Sequence, residues 1–289
     1  MVVIAADAGE AALVAKAFAR RQLLAIREHR PPAPGPIAYP ATAALWLEDT
    51  HAYACEADVL GVETSDSGGT TLVLSATVFH PQGGGQPADI GLIRSARDEG
   101  AHSFEVTSVR QRAGGVVVHE GAAPAPFRAG DRVICEIDSE LRRLHARLHS
   151  AGHLIDVAMR ACGCTLAPTK GCHFPSGAYV EYAGKLTADE REALAPRLQE
   201  AIGRLVSEAA PTVVRTVPAR RLHELCPPET VPANFLGVES AVRVVTVSGL
   251  ATPCGGTHVR HAGEIAPLRV HGVKTKNGAT RVSYSCSAS

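Results

Sequence analysis

The sequence predicts an α+β protein of two units, a β-barrel-like unit over residues 41–138 and an α+β unit over residues 139–289. Three observations carry this. Short β-branched segments punctuated by Gly, Pro and Asp/Ser clusters fill the first stretch, with no helical period between them. At Ser139 the pattern changes to a 3.6-residue period sustained over some twenty residues. A proline-rich run, PPAPGPIAYP at 31–40, separates both units from what precedes them. Hydrophobic residues make up 45% of the 289 positions and aromatics only 4%, so a sizeable core can form and aliphatic side chains must fill it.

In chain order, residues 10–28 set Leu13, Ala17, Phe18, Leu24 and Ala25 at near-helical intervals, which predicts a helix. Together with the proline run this makes residues 1–40 a helical extension and linker outside the main fold. Strands are expected at 71–79, 104–111, 115–119 and 132–137, and their order suggests a small barrel or sandwich. A helix is expected over 141–161, stopped by Cys162-Gly163, and then a strand at 178–182. Thr187 and Glu190 have the spacing of a capping box and open a second helix running to about residue 209. Segments 213–217, 241–247 and 280–285 read as strands of the second unit's sheet.

Lys+Arg and Asp+Glu balance at 29 each, which excludes a binder of polyanions driven by bulk positive charge but leaves room for a local basic patch. Eight cysteines at irregular spacing, with no secretory pattern in residues 1–30, argue against a disulfide framework and for a reducing, cytoplasmic compartment. No run approaches the roughly 18 apolar residues of a membrane span, so no membrane partner is expected.

The residues with chemistry to offer are histidines and cysteines. His149 and His153 lie four apart on the predicted 141–161 helix, so both imidazoles share a face. Far downstream, Cys254-Gly255-Gly256-Thr257-His258 can fold into a tight loop in which thiolate and imidazole converge. Three nitrogens and one sulfur form a tetrahedral donor set that favours zinc over magnesium or calcium. On spacing alone, His145 with His149 is an equally valid pair, and His261 competes with His258. Cys162, Cys164, Cys172 and His173 form a rival cluster. A zincin protease is excluded, because Ser150 follows His149 and Ala146 follows His145 where that chemistry needs a glutamate.

The stretches LHSAGHLI (148–155), TKGCHFPSGAYVEY (169–182) and VVTVSGLATPCGGTHV (244–259) resemble the alanyl-tRNA editing family, the editing domain of alanyl-tRNA synthetase and its free-standing AlaX relatives. FHPQGGGQPADIG (79–91), residues 117–143 and TRVSYSC (280–286) are similar in the same order. The resemblance implies an editing domain of the threonyl/alanyl-tRNA synthetase type in the second unit. It implies one Zn²⁺ held by His149, His153, Cys254 and His258, with His149, His153, Cys254 and Thr169 in the catalytic site. The activity implied is hydrolysis of the ester of tRNA(Ala) mischarged with serine, and secondarily with glycine, acting in trans. Thr169 would help separate serine from alanine by hydrogen-bonding the extra hydroxyl, the discrimination a synthetase pocket achieves poorly. The Gly83-Gly84-Gly85-Gln86 run would bring bare backbone to the tRNA 3′ end. Arg142, Arg143 and Lys170 would supply RNA contacts, with Arg147, Lys274 and Lys276 as further candidates. The alternatives are a nonenzymatic tRNA-binding protein with a structural zinc and a deacylase for another mischarged tRNA.

Overall fold

The computed structural model describes residues 38–64, 69–97, 102–231 and 241–286. The helix expected at 10–28 lies outside the described residues, as does the linker up to residue 37. Nearly all of what is described belongs to one compact unit, Pro40–Ser289. Its first half contains β1 (Ala43–Ala44), β2 (Ala54–Thr64), β3 (Thr70–Leu74), β4 (Ala76–Thr77), β5 (Gly91–Ser95), β6 (Ser103–Val106), β7 (Ser108–Gln111), β8 (Val117–Gly121) and β9 (Arg132–Ile137). Seven of these form one antiparallel sheet in the order β6-β5-β9-β2-β3-β8-β7. The two edge strands, β6 and β7, are joined through Thr107 alone, so the sheet curls until its edges meet and is nearly closed. Alternating residues such as Val133, Cys135 and Ile137 of β9 point inward, onto a core that includes Leu72, Phe79 and Phe104.

Strand β2, eleven residues long, is absent from the strands that the sequence pattern predicts. Its outward Glu56 and Asp58, both paired with Arg132 of β9, interrupt the apolar run, while Ala57 and Val59 face the core. The segment expected as one strand at 71–79 divides at Ser75. There the backbone N–H turns to the Asp58 carbonyl and the hydroxyl accepts from the Asp58 N–H.

The second half contains α1 (Ser139–Ala161), β10 (Pro168–Cys172), β11 (Ala178–Tyr182), α2 (Ala188–Glu208), β12 (Val213–Pro218), α3 (Leu222–Leu225), β13 (Ala241–Val247), β14 (Leu250–Pro253), β15 (Leu268–Lys276) and β16 (Ala279–Cys286). The helices start where the caps dictate: Asp138 accepts from the Leu141 N–H, and Thr187 with Glu190 completes the capping box. A four-stranded sheet, β10-β11-β16-β15, and a three-stranded one, β12-β13-β14, accompany them. Leu148, Ala151, Leu154 and Ile155 of α1 share one core with Val180, Leu198 and Val282. Strands β10, β14 and β15 lack a strand signature in sequence; Pro168 and Gly171 interrupt the first, and a bulge between Val270 and Gly272 interrupts the last. No helix among the described residues is long and apolar enough to cross a membrane.

One buried ion pair ties the halves together. Arg142, in the first turns of α1, and Asp89, before β5, each have side chains only 1% exposed. The guanidinium clasps the carboxylate through Nε and Nη2, and donates to the carbonyls of Thr50 (2.9 Å) and Val78 (2.5 Å). Asp89 Oδ2 also accepts from the His80 N–H at 2.6 Å. This corrects the expectation that Arg142 contacts RNA phosphate: all three guanidinium nitrogens are hydrogen-bonded inside the protein and the side chain is buried. Arg143 turns outward instead, pairing with Glu140 and lying over the Tyr53 ring.

Removing one partner of such a pair strands the other charge. Arg142→Ala is therefore expected to destabilise the fold by about 3–5 kcal/mol in urea unfolding. Arg143→Ala, which loses an exposed pair, should change stability by no more than about 1 kcal/mol. Equal losses for the two variants would refute this assignment.

A second stability prediction concerns Asp156 of α1, which accepts from the Tyr182 hydroxyl at 2.6 Å. Burial pushes its carboxyl up to about 6, against the opposing effects of that hydrogen bond and of Arg160. Because the folded value exceeds the unfolded one of about 4, folding takes up a proton between them. The stability this contributes is complete below about pH 4 and is lost as pH rises through about 6. Asp156→Asn should remove that slope and raise stability at pH 7 by at most about 3 kcal/mol. An unchanged unfolding profile between pH 4 and 7 would count against it.

Candidate metal centre

Helix α1 presents His149 and His153 one turn apart, with rings stacked at 5.2 Å between centroids. The loop after β14 carries Cys254 and His258 to the same point. The Cys254 Sγ lies 3.4 Å from His149 Nε2 and 3.3 Å from His258 Nε2. The four donor atoms all fall within 4.8 Å of one another. A tetrahedron with bonds of about 2.0–2.3 Å has edges near 3.5 Å, so this spacing fits one small ion. Among the described residues these four are the group of His, Cys, Asp and Glu side chains that could hold a metal.

The surrounding hydrogen bonds orient the donors. Gln86 Nε2 donates to Thr257 Oγ1 at 2.9 Å, and Gln86 Oε1 accepts from the Thr257 N–H at 3.0 Å. With the amide so oriented, His149 Nδ1–H donates to Oε1 at 2.8 Å, leaving the Nε2 lone pair aimed at Cys254. Ser150 Oγ, which accepts from the Val259 N–H, lies 3.2 Å from His258 Nδ1 and holds the second imidazole in the same sense. Burial depresses all three histidines, His153 to about 4, with neighbouring histidines adding to the effect at His149 and His258, and Arg243 at His153 and His258. They are neutral at neutral pH, as ligation requires. Burial raises the Cys254 thiol, while the Gly256 N–H and Arg243 oppose the rise; a cation at the centre would favour the thiolate further.

Glycine in the ligand loop is a matter of space. A Cβ on Gly256 would stand 2.1 Å from His149 Cε1. The Gly255 carbonyl accepts from Trp46 Nε1 at 3.3 Å, and Arg243 donates to the carbonyls of Cys254 and Gly256 at 2.8 and 3.0 Å. The run Gly83–Gln86 is a tight turn closed by reciprocal backbone bonds between Gly83 and Gln86, with φ of +56° and +79° at Gly84 and Gly85. Gly84 lies against His149, and a Cβ on Gly85 would meet the Gly171 carbonyl at 2.4 Å.

The remaining candidates distribute as follows. His145 is buried facing the Asp89–Arg142 pair, outside the donor group, and His261 sits 3.7 Å from Glu264. Cys162, Cys164, Cys172 and His173 do not converge on a second group among the described residues. Thr169 and Lys170 are exposed on β10, and Thr169 Oγ1 donates to the Glu181 carbonyl at 3.1 Å. Neither belongs to the donor group. His173, read from sequence only as part of the rival cluster, packs its ring 4.6 Å from that of His149. Its Nδ1–H donates at 2.6 Å to Tyr284, whose hydroxyl donates in turn to the Leu148 carbonyl. Nothing in the sequence pattern distinguishes His173 or Tyr284 for this position.

Among the described residues, fold and donor set define a largely buried His3Cys group where a curled antiparallel sheet meets an α+β half. Residues 52–141 match the family model described as tRNA synthetases class II (A). The chain is 30% identical over 221 residues to the alanyl-tRNA editing protein AlaX-M of Methanosarcina acetivorans, covering 74% of this chain and 87% of that protein. It is 30% identical over 268 residues to the alanine–tRNA ligase of Korarchaeum cryptofilum and 32% identical over 265 residues to that of Pyrobaculum calidifontis. These cover 86% and 85% of this chain but only 26% and 27% of the ligases, so the chain spans about a quarter of their length. The chain belongs to the alanyl-tRNA editing family.

Gly256→Ala tests the centre without removing a donor. It is expected to leave the secondary structure intact by circular dichroism while displacing His149. Metal content by elemental analysis should fall from one ion per chain to well below one. Full occupancy in the folded variant would show that the loop yields where the geometry says it cannot.

Proposed function

We propose that the protein is a zinc-dependent aminoacyl-tRNA deacylase that hydrolyses the ester of mischarged tRNA(Ala), chiefly Ser-tRNA(Ala) and secondarily Gly-tRNA(Ala). The observation that carries this reading is the convergence of His149, His153, Cys254 and His258 in a chain that covers most of an alanyl-tRNA editing protein. Nitrogen and sulfur donors in this geometry suit zinc. A zinc ion held there supplies Lewis acidity toward an ester carbonyl.

The chain's own residues do the rest. Gln86 and Ser150 hold the imidazoles of His149 and His258 in one tautomer, so the donor set is built before substrate arrives. The exposed tip of the Gly83–Gln86 turn lies against His149 and leaves a side-chain-free approach for the terminal ribose. Thr169 and Lys170 would serve that approach from β10, whose Gly171 packs against Gly85. The Thr169 hydroxyl, which already donates to Glu181, keeps lone pairs to accept from a serine hydroxyl. An alanyl ester offers no such donor and forgoes that contact.

The test is a panel of serine, glycine and alanine charged on tRNA(Ala), and serine charged on another tRNA, with and without chelation. Ser-tRNA(Ala) should be hydrolysed fastest and Ala-tRNA(Ala) spared. Cys254→Ala should lose both metal and at least a hundredfold of the rate, an order-of-magnitude expectation for removing electrostatic stabilisation. An unchanged half-life of Ser-tRNA(Ala) at stoichiometric protein would instead favour a nonenzymatic tRNA binder with a structural ion.

A further inference from the structure

A concavity of about 300 Å³ is bounded by the N-terminal half of α1, the loop before β2 and the segment that follows His258. Its wall carries Arg143, Arg147 and Arg260 together with His51 and Tyr53. Arg143 and Arg147 are one turn apart on the same face of α1, and Arg260 is two residues past a metal ligand.

The charge in this hollow is only partly matched. Arg142 also borders it but is neutralised by Asp89. Arg143 pairs with Glu140 at a largely exposed position, an attachment of small worth that an incoming anion can replace. The one acidic side chain in the wall, Glu264, accepts from the Arg260 N–H at 3.1 Å and stands 4.0 Å from that guanidinium. Arg147 has no carboxylate partner among the described residues. It donates through Nη2 to the Ala266 carbonyl at 2.6 Å, and its Nε is enclosed without a hydrogen-bond partner.

We propose that this hollow binds phosphodiester groups of the single-stranded 3′ end of the tRNA acceptor, an inference that rests on the deacylase reading above. Guanidinium forks match phosphate oxygens, and three of them follow the two elements, α1 and the ligand loop, that also build the metal centre. A strand whose terminal ester lies at the centre has its next phosphates alongside those elements. An acidic peptide would meet the same charges but would have no reason to be anchored beside an ester-cleaving centre. The net neutrality of the chain makes this local cluster the part of the site able to attract a polyanion.

The experiment uses the full chain and uncharged tRNA(Ala), titrated at several salt concentrations, against the same tRNA lacking its last four nucleotides. Arg147→Ala and Arg260→Ala are each expected to weaken binding about tenfold. The double variant should flatten the slope of log K against log salt by about 1.4, the value for two single-strand phosphate contacts, while truncated tRNA should be insensitive to both changes. Wild-type affinity and slope in a metal-loaded, folded double variant would overturn the proposal, as would equal losses on truncated tRNA. If Arg147→Ala disturbs folding through its bond to Ala266, the exposed Arg260→Ala variant decides alone. Arginine-dependent binding without any hydrolysis of Ser-tRNA(Ala) would sink the deacylase reading and spare this one. Hydrolysis with arginine-independent binding would do the reverse.

Discussion

The Asp89–Arg142 pair is the constraint on which the rest of the molecule depends. It sits where the curled sheet meets the first turns of α1, and both side chains are almost wholly removed from water. Two charges in such a place are tolerable only when each satisfies the other and the remaining donors find carbonyls. Arg142 meets that condition by reaching Thr50 and Val78 on one side and Asp89 on the other. The start of α1 is thereby pinned to the sheet, and His149 and His153 follow about two and three turns further on.

The candidate metal centre takes its shape from both halves. Gln86 comes from the sheet half, yet its one amide fixes the His149 tautomer and the position of Thr257 in the ligand loop. Trp46 holds the carbonyl of Gly255, and Arg243 holds those of Cys254 and Gly256. Backbone and side chain approach so closely at Gly256 and Gly85 that neither could carry a Cβ. The buried polar groups around the centre satisfy one another, and misplacing any of them leaves a donor or acceptor unmatched.

A closed four-donor shell ordinarily signals a structural ion, and here the donors are buried or nearly so. What distinguishes this centre is its edge: the glycine turn brings exposed backbone against His149 from one side. A basic hollow adjoins the same helix. An editing reaction asks for that combination, because the substrate is a small ester at the end of a long polyanion, and its two parts need different surfaces.

Much of this was legible in the chain. Helix α1, helix α2 and its capping box follow from local signals, since caps and apolar periodicity act within a few residues. The histidine pair and the Cys-Gly-Gly-Thr-His loop were readable as donor chemistry, although their register against His145 and His261 was open on spacing alone. Strands β2, β5, β10, β14 and β15 were not legible, because charged outer faces, proline, glycine and bulges hide a period that only sheet neighbours impose. The sequence by itself determined which residue types could ligate and, to within a few residues, the extent of α1 and α2. Only the tertiary structure decided that Arg142 turns inward to Asp89, that Gln86 orients His149 and that His173 stacks on it. Those contacts join residues tens of positions apart, and no local pattern encodes them; burial and the need to satisfy every polar group select them.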